Sequence, residues 1–211
     1  PLHDSHRYGV LSVMQIITKS SNIGAGRVGI RLGTERLYRY MRAFGFGQKT
    51  GIELPGEVSG IVHKPNVWSA ISIAHIPMGH EVAVTPLQMC AAMSAIANGG
   101  RLMKPMIVSA KLNKEGQAIE RFQPTLVRQV ITPDAAAQMM EALMTVTQKG
   151  GTGTDAAVAG FEVAGKTGTA QKIEGGKYVQ KYYSSFVGFL PAHKPELCIL
   201  ISMDNPNDPD G

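Results

Sequence analysis

The sequence has no apolar run long enough to cross a membrane. Its longest, residues 197–203, falls far short of the roughly 18 residues that would suggest a membrane span. It also has no secretory leader, so any targeting segment is expected outside the chain. The chain opens at Pro1 and stops at the turn-like Pro209-Asp210-Gly211. We therefore expect a piece of a longer protein, cut at both ends.

Cysteine is scarce, which excludes a disulfide scaffold. The two cysteines, Cys90 and Cys198, stand in apolar stretches without the spacing of a metal or redox motif. They are predicted to be two buried, unpaired thiols, with a single disulfide between them left open. Cysteine usage therefore does not fix the compartment.

Dense basic runs are also absent, although 21 lysines and arginines against 16 acidic residues give a net charge of +5. Scattered basic residues do not form the stripe that tracks a nucleic-acid backbone, so no nucleic-acid partner is expected. A solvated basic surface would tolerate an anionic polymer such as a cell wall. The 211 residues, 44% hydrophobic, are enough for one sizeable core or two small ones.

The first third of the chain predicts helices around flexible joints. Residues 8–19 carry apolar side chains at helical spacing and end at Lys19-Ser20-Ser21-Asn22, so a polar triplet is expected at a helix end. A glycine-rich joint is predicted over 24–33, followed by a helix capped by Thr34. Residues 45–68, rich in glycine and proline, predict a long irregular connection.

Two later helices have strong start signals. Thr85-Pro86-Leu87-Gln88 combines a capping threonine, a proline at the first helical position and a glutamine three residues on, and Asn98-Gly99-Gly100 ends this helix. Thr132-Pro133 repeats the start, and the stripe of Met139, Met140, Leu143 and Met144 is predicted to fill a core.

The remaining segments predict strands joined by short links. A hairpin is expected around residues 113–116, and the C-terminal part favours strands from Phe161, Tyr182 and Glu196, with a turn at Gly175-Gly176. Short links make neighbouring strands antiparallel. The predicted fold class is α/β in the broad sense (α+β), with an antiparallel sheet flanked by helices.

Lys166 lies in the run Val163-Ala164-Gly165-Lys166-Thr167-Gly168-Thr169-Ala170, which suits anion capture and has two interpretations. Residues 160–167 fit the phosphate-binding pattern G-x-x-x-x-G-K-[ST]. Such a loop needs a helix starting at the lysine, whereas little room for one remains before Gly175. The alternative places Lys166-Thr167-Gly168 on a strand that borders an acyl-transfer site.

Ser20-Ser21-Asn22 supplies the S-x-N arrangement that accompanies K-[ST]-G in such enzymes. By itself it is a weak signal, because serine and asparagine at helix ends are commonly caps. Its meaning therefore depends on the run around Lys166.

With these motifs in one order, the sequence resembles the transpeptidase domain of penicillin-binding proteins, closest to the monofunctional class B enzymes. The likeness covers nearly all of residues 1–211, interpreted as one partial transpeptidase domain. Further matching runs are residues 44–57, Met78-Gly79-His80, Val84-Thr85-Pro86-Leu87-Gln88, Ala97-Asn98-Gly99-Gly100 and Phe186-Val187-Gly188-Phe189.

This resemblance implies a β-lactamase/transpeptidase-like fold and a site made of catalytic Ser20, Asn22 and Lys166 and substrate-binding Thr167, Gly168 and Thr169. Expected partners are peptidoglycan stem peptides ending in D-alanyl-D-alanine, β-lactams and the cell-wall synthesis machinery. No metal or organic cofactor is implied. The expected location is the periplasmic face of the bacterial inner membrane, reached only through an anchor outside this chain.

One departure from the family pattern concerns the nucleophile. No serine in the chain is followed three residues later by lysine, although family members carry S-x-x-K upstream of S-x-N. The missing motif is interpreted as cut away, which predicts that this chain alone is inactive; a non-catalytic scaffold stays open. A β-lactamase or a penicillin sensor is a further alternative, disfavoured because no E-x-x-L-N run supplies a deacylating glutamate.

Overall fold

The computed structural model describes residues 2–175 and 177–206 of the chain. Its helices are α1 (Val13–Lys19), α2 (Asn22–Leu32), α3 (Thr34–Ala43), α4 (Ser72–His75), α5 (Pro86–Ala97) and α6 (Pro133–Thr147). Its strands are β1 (Ile61–Val62), β2 (Val82–Ala83), β3 (Arg101–Met103), β4 (Ala110–Leu112), β5 (Ala118–Arg121), β6 (Leu126–Gln129), β7 (Ala164–Glu174), β8 (Lys177–Leu190) and β9 (Leu197–Asp204). None of the helices described has the length and apolarity that a membrane crossing requires.

The C-terminal strands form the predicted antiparallel sheet in the order β7-β8-β9. Alternate residues of its central strand face a core in which Phe189 is fully buried and Val187 is 7% exposed. Helices α5 and α6 complete this core with Met93, Leu143 and Met144. The mixed helix and antiparallel-sheet architecture is therefore confirmed, and its core lies directly beneath β7.

The two strongest helix starts form as local chemistry predicts. Thr85 accepts a hydrogen bond from the backbone N–H of Gln88, whose side chain caps Thr85 in return. Thr132 caps α6 by accepting from the N–H of Ala135. The hairpin β4–β5 is also present. These signals involve residues three positions apart, so the sequence is sufficient to predict them.

The glycine-rich joint predicted over residues 24–33 is wrong, because this segment forms α2. Glycine is unfavourable in a helix, but here it permits close packing. A Cβ on Gly29 would lie 2.4 Å from Cγ of Pro77 and 2.6 Å from the carbonyl oxygen of Ile73. Gly26 approaches Ala74 in the same way. The glycines of α2 thus provide a smooth face for α4 and the turn after it.

Replacing Gly29 with alanine is expected to destabilise the protein by about 1–3 kcal/mol through overpacking, although alanine normally stabilises a helix. Val28→Ala is the matched control, because Val28 is 45% exposed on the same helix and should change stability by less than about 1 kcal/mol. Urea unfolding measures both variants. Equal stability of Gly29→Ala and the parent would contradict the close approach of α2 to α4.

Other sequence expectations need smaller corrections. Helix α1 begins at Val13 instead of residue 8, and α3 is preceded by Gly33 without a side-chain cap, so Thr34 is not the cap. The first long strand begins at Ala164, three residues after Phe161. Of the predicted Gly175-Gly176 turn, Gly176 lies outside the described residues, as do Pro209-Asp210-Gly211.

Candidate active site

Ser20 and Ser21 have different tasks at the junction of α1 and α2. Ser21 is 3% exposed; its hydroxyl caps α2 by accepting from the N–H of Gly24 and donates to the carboxylate of Asp4, each at 2.9 Å. Ser20 ends α1 in the left-handed conformation, with φ 53° and ψ 43°. Such a backbone is uncommon for a residue other than glycine. The interpretation as a cap therefore applies to Ser21, while the Ser20 hydroxyl bonds elsewhere.

That hydroxyl faces Lys166 on β7. The Lys166 ammonium donates to Oγ of Ser20 at 2.8 Å and to the carbonyl oxygen of Thr167 at 2.9 Å. Burial lowers the pKa of Lys166 to about 8. Both of these acceptors are neutral, and none of the ion pairs among the described residues involves this lysine. A desolvated cation without a counter-charge favours an incoming anion.

Thr167 receives support from a residue that the sequence analysis did not identify. Its hydroxyl lies 2.7 Å from the hydroxyl of Thr152, which belongs to the loop after α6. In the same loop the carbonyl of Gly150 accepts from the Lys19 ammonium at 2.6 Å. The glycine-rich stretch Gly150-Gly151-Thr152-Gly153 is the sequence signal that could have pointed to this loop.

Gly168 and Thr169 continue the strand away from Lys166. A Cβ on Gly168 would lie 2.9 Å from Oγ of Ser185 on β8, so a side chain there would require the Ser185 hydroxyl to move. Thr169 is exposed and pairs in register with Ser184. Within the described sheet β7 is an edge strand. An edge strand presents N–H and C=O groups that can pair with an extended peptide.

Asn22 is not joined to this group by a hydrogen bond within the described residues. It is the exposed first residue of α2, and its amide donates to the carbonyl oxygen of His3 at 3.1 Å. The structure thus brings Ser20, Lys166 and Thr167 together in a chain of contacts. Asn22 lies at the start of α2, and its side chain is hydrogen-bonded to His3 instead.

The phosphate-loop interpretation of Lys166 does not agree with this geometry. Lys166 is the third residue of β7, and the strand continues to Glu174. No helix begins at the lysine, so the helix N-terminus that would hold phosphates is lacking. The position of Lys166 within a strand favours the acyl-transfer arrangement.

Comparisons with known proteins agree with the resemblance found in the sequence. The family described as "Penicillin binding protein transpeptidase domain" matches residues 2–211. Stage V sporulation protein D of Bacillus subtilis is 39% identical over 201 residues, 94% of this chain and 31% of that protein. The penicillin-binding protein PbpB of Mycolicibacterium smegmatis is 37% identical over 216 residues, 97% of this chain and 33% of that protein. The chain thus spans about a third of these relatives.

Solved structures agree with the architecture. Penicillin binding protein 3 of Mycobacterium tuberculosis, in complex with aztreonam, superposes with a TM-score of 0.90 at 36% identity, covering 97% of this chain and 48% of that one. The apo transpeptidase domain of Burkholderia pseudomallei penicillin-binding protein 3 gives 0.86 at 34% identity, covering 96% and 59%. Both similarities extend over almost the whole of this chain.

Proposed function

The chain belongs to the penicillin binding protein transpeptidase domain family, and from this premise we propose that it forms part of a peptidoglycan D,D-transpeptidase. The enzyme cross-links stem peptides ending in D-alanyl-D-alanine through a serine acyl-enzyme. The observation that carries the proposal is the 2.8 Å contact between Lys166 and Ser20, which joins two motifs 146 positions apart. Because the chain has no S-x-x-K, the nucleophilic serine and its lysine are assigned to another part of the full-length protein.

Substrate capture is the task of β7. The terminal carboxylate of the stem peptide binds beside the Lys166 ammonium and the hydroxyls of Thr167 and Thr169. Thr152 positions Thr167 through their hydroxyl contact. The peptide backbone pairs along the free edge of β7 as an added strand, and Asn22 exchanges its bond to His3 for the substrate amide.

Proton transfer and oxyanion binding complete the reaction. The nucleophilic serine gives its proton to the lysine of its own motif and attacks the carbonyl carbon of the penultimate D-alanine, and the backbone N–H of Thr169 donates to the developing oxyanion. As the C–N bond breaks, Ser20 relays that proton to the leaving D-alanine, with Lys166 holding the Ser20 hydroxyl. An amine of a neighbouring stem then attacks the ester carbon, the ester C–O bond breaks, and the proton lost by the amine returns to the serine oxygen.

A β-lactam would enter the same site, because its carboxylate and strained amide match these groups. The relatives support this ligand class, since the mycobacterial structure contains aztreonam and a second structure of that protein contains ampicillin. The homologues named peptidoglycan transpeptidases favour a place in the bacterial cell envelope. We assign the site to the periplasmic side, where peptidoglycan and the cell-wall synthesis machinery are found.

The test is the intact mass of the full-length natural protein and of this 211-residue chain, each before and after incubation with ampicillin. The full-length protein should gain one drug mass and keep it for hours, while this chain gains nothing. Addition of an amine acceptor with a stem-peptide thioester should yield the cross-linked product. An adduct that is hydrolysed within minutes would favour a β-lactamase, and a folded full-length protein without any adduct would favour a non-catalytic scaffold.

Acylation is expected to depend on pH through Lys166. With its pKa lowered to about 8, the ammonium is charged below that pH and can attract a carboxylate. The second-order rate constant of acylation should therefore fall about tenfold per unit above pH 8. Stopped-flow measurements with a chromogenic β-lactam from pH 6 to about 10 record the profile. In Lys166→Arg the charge persists above pH 8, so a slower acylation whose rate constant does not fall with pH is expected. If the rate constant of this variant still fell above pH 8, the pH dependence would belong to another group.

A further inference from the structure

Cys90 and Cys198 form a contact that the proposed reaction does not use. Cys90 lies on α5 and Cys198 on β9, and both are free thiols. The two sulfur atoms are 3.8 Å apart. Each thiol also lies near the backbone carbonyl of the other residue, at 3.8 Å from Cys90 and 3.7 Å from Cys198. The sequence prediction of unpaired thiols agrees with this geometry, but both are half-buried instead of fully buried.

Cys198 borders a cleft at the surface. A cleft of about 250 Å³ opens between the end of α5 and the start of β9, and Ser94, Asn98 and Cys198 are among the residues that line it. Pro195 and Glu196 form its other side. Of the two cysteines, Cys198 is therefore the one that a small disulfide reagent entering this cleft would meet.

We propose that Cys90 and Cys198 are a modification site that closes to a disulfide joining α5 to β9 when a disulfide-bearing oxidant reaches the cleft. One thiol loses its proton and attacks a sulfur of the oxidant, forming a mixed disulfide and expelling a thiolate. The second thiol loses its proton, attacks the protein sulfur of that mixed disulfide and expels the second thiolate. The two cysteines lose two electrons and two protons in all, and the oxidant is reduced to two thiols.

Closure requires the two sulfur atoms, now 3.8 Å apart, to approach by about 1.8 Å, because a disulfide has a sulfur–sulfur distance near 2.05 Å. Burial raises the pKa of Cys198 to about 11, which keeps that thiol protonated at neutral pH. The reaction is therefore slow without a base or an exchange catalyst.

The cross-link would stabilise the core beneath β7. Its half-cystines are 108 positions apart in sequence, and closing such a long loop restricts the unfolded chain more than a short one. Met93 of α5 and Ala164 of β7 belong to the core cluster against which Cys198 packs. A rise in Tm of roughly 4–15 °C is expected for a protein of this size.

The experiment treats this chain at pH 8.5 with glutathione disulfide and an exchange catalyst such as a glutaredoxin, because the uncatalysed reaction is slow, and follows the intact mass, the free-thiol count and Tm. Loss of two hydrogen atoms, no remaining free thiol and one peptide pair linking Cys90 to Cys198 are expected. The matched controls Cys90→Ser and Cys198→Ser should stop at a mixed disulfide with no rise in Tm. Unreacted thiols in the folded chain, a persistent mixed disulfide in the parent, or a disulfide-linked dimer would each overturn the proposal. The readouts need no catalysis, so they are independent of the transpeptidase assignment.

Discussion

Replacing Lys166 with alanine is expected to slow acylation of the full-length protein by a β-lactam about 100- to 1,000-fold. The ammonium is desolvated, and its contacts in the structure are with the neutral oxygens of Ser20 and Thr167. Under the proposed function, an incoming carboxylate would compensate its charge. Removal of the ammonium leaves that carboxylate with hydroxyl groups alone and also releases the Ser20 hydroxyl. Time-resolved intact mass at several drug concentrations gives the rate constant.

Lys181→Ala is the matched control for this substitution. Lys181 lies on the neighbouring strand β8, where it is exposed and paired with Glu174 at 3.0 Å. An exposed ion pair contributes little, so acylation should stay within about threefold of the parent. The Tm of Lys166→Ala should not fall, because the substitution removes a desolvated charge. Acylation of Lys166→Ala at the parent rate would refute the assignment of this lysine.

Phe189→Ala is expected to lower the free energy of unfolding by about 3–5 kcal/mol. Phe189 is fully buried and belongs to the same core cluster as Leu143 and Met144. It also pairs in register with Ala164, two residues before Lys166. The cavity left by the ring would therefore weaken both the contact between the sheet and α6 and the support beneath the site.

The control for this prediction is Phe161→Ala. Phe161 precedes β7 and is 55% exposed, so its loss should cost about 1 kcal/mol or less. Urea unfolding followed by circular dichroism and by fluorescence of the single tryptophan measures both variants. Equal destabilisation by the two substitutions would contradict the location of the core beneath β7.

The fold could be predicted from the sequence where one short stretch contained the whole signal. Thr85 and Gln88 cap each other across three positions, and the short links between the last strands determine their antiparallel pairing. Helix α2 could not be predicted in this way. Its glycines are required by close contacts with Ala74 and Pro77, which lie about 50 positions later in the sequence. A local rule that treats glycine as a helix breaker therefore predicted a joint instead of a helix.

In the candidate site, too, some features could be predicted from one short stretch of sequence and others depend on contacts between distant residues. Residue types identified the run around Lys166 as suited to anions, but only the resemblance linked it to Ser20. Thr152 was missed because its meaning depends on a hydroxyl contact with Thr167, which no spacing rule encodes. The lowered pKa of Lys166 likewise arises from its burial in the folded protein. Sequence patterns therefore gave the chemistry of single residues, and tertiary packing decided which of them meet.

The left-handed backbone of Ser20 sets stability and function against each other. At the end of a helix this conformation is most favourable for glycine, and a serine there carries a strain of about 1 kcal/mol. Laboratory selection for thermal resistance alone would thus favour glycine at position 20 and discard the hydroxyl that contacts Lys166. If Ser20 passes a proton as proposed, a protein with glycine at position 20 would be more stable and less active than its parent.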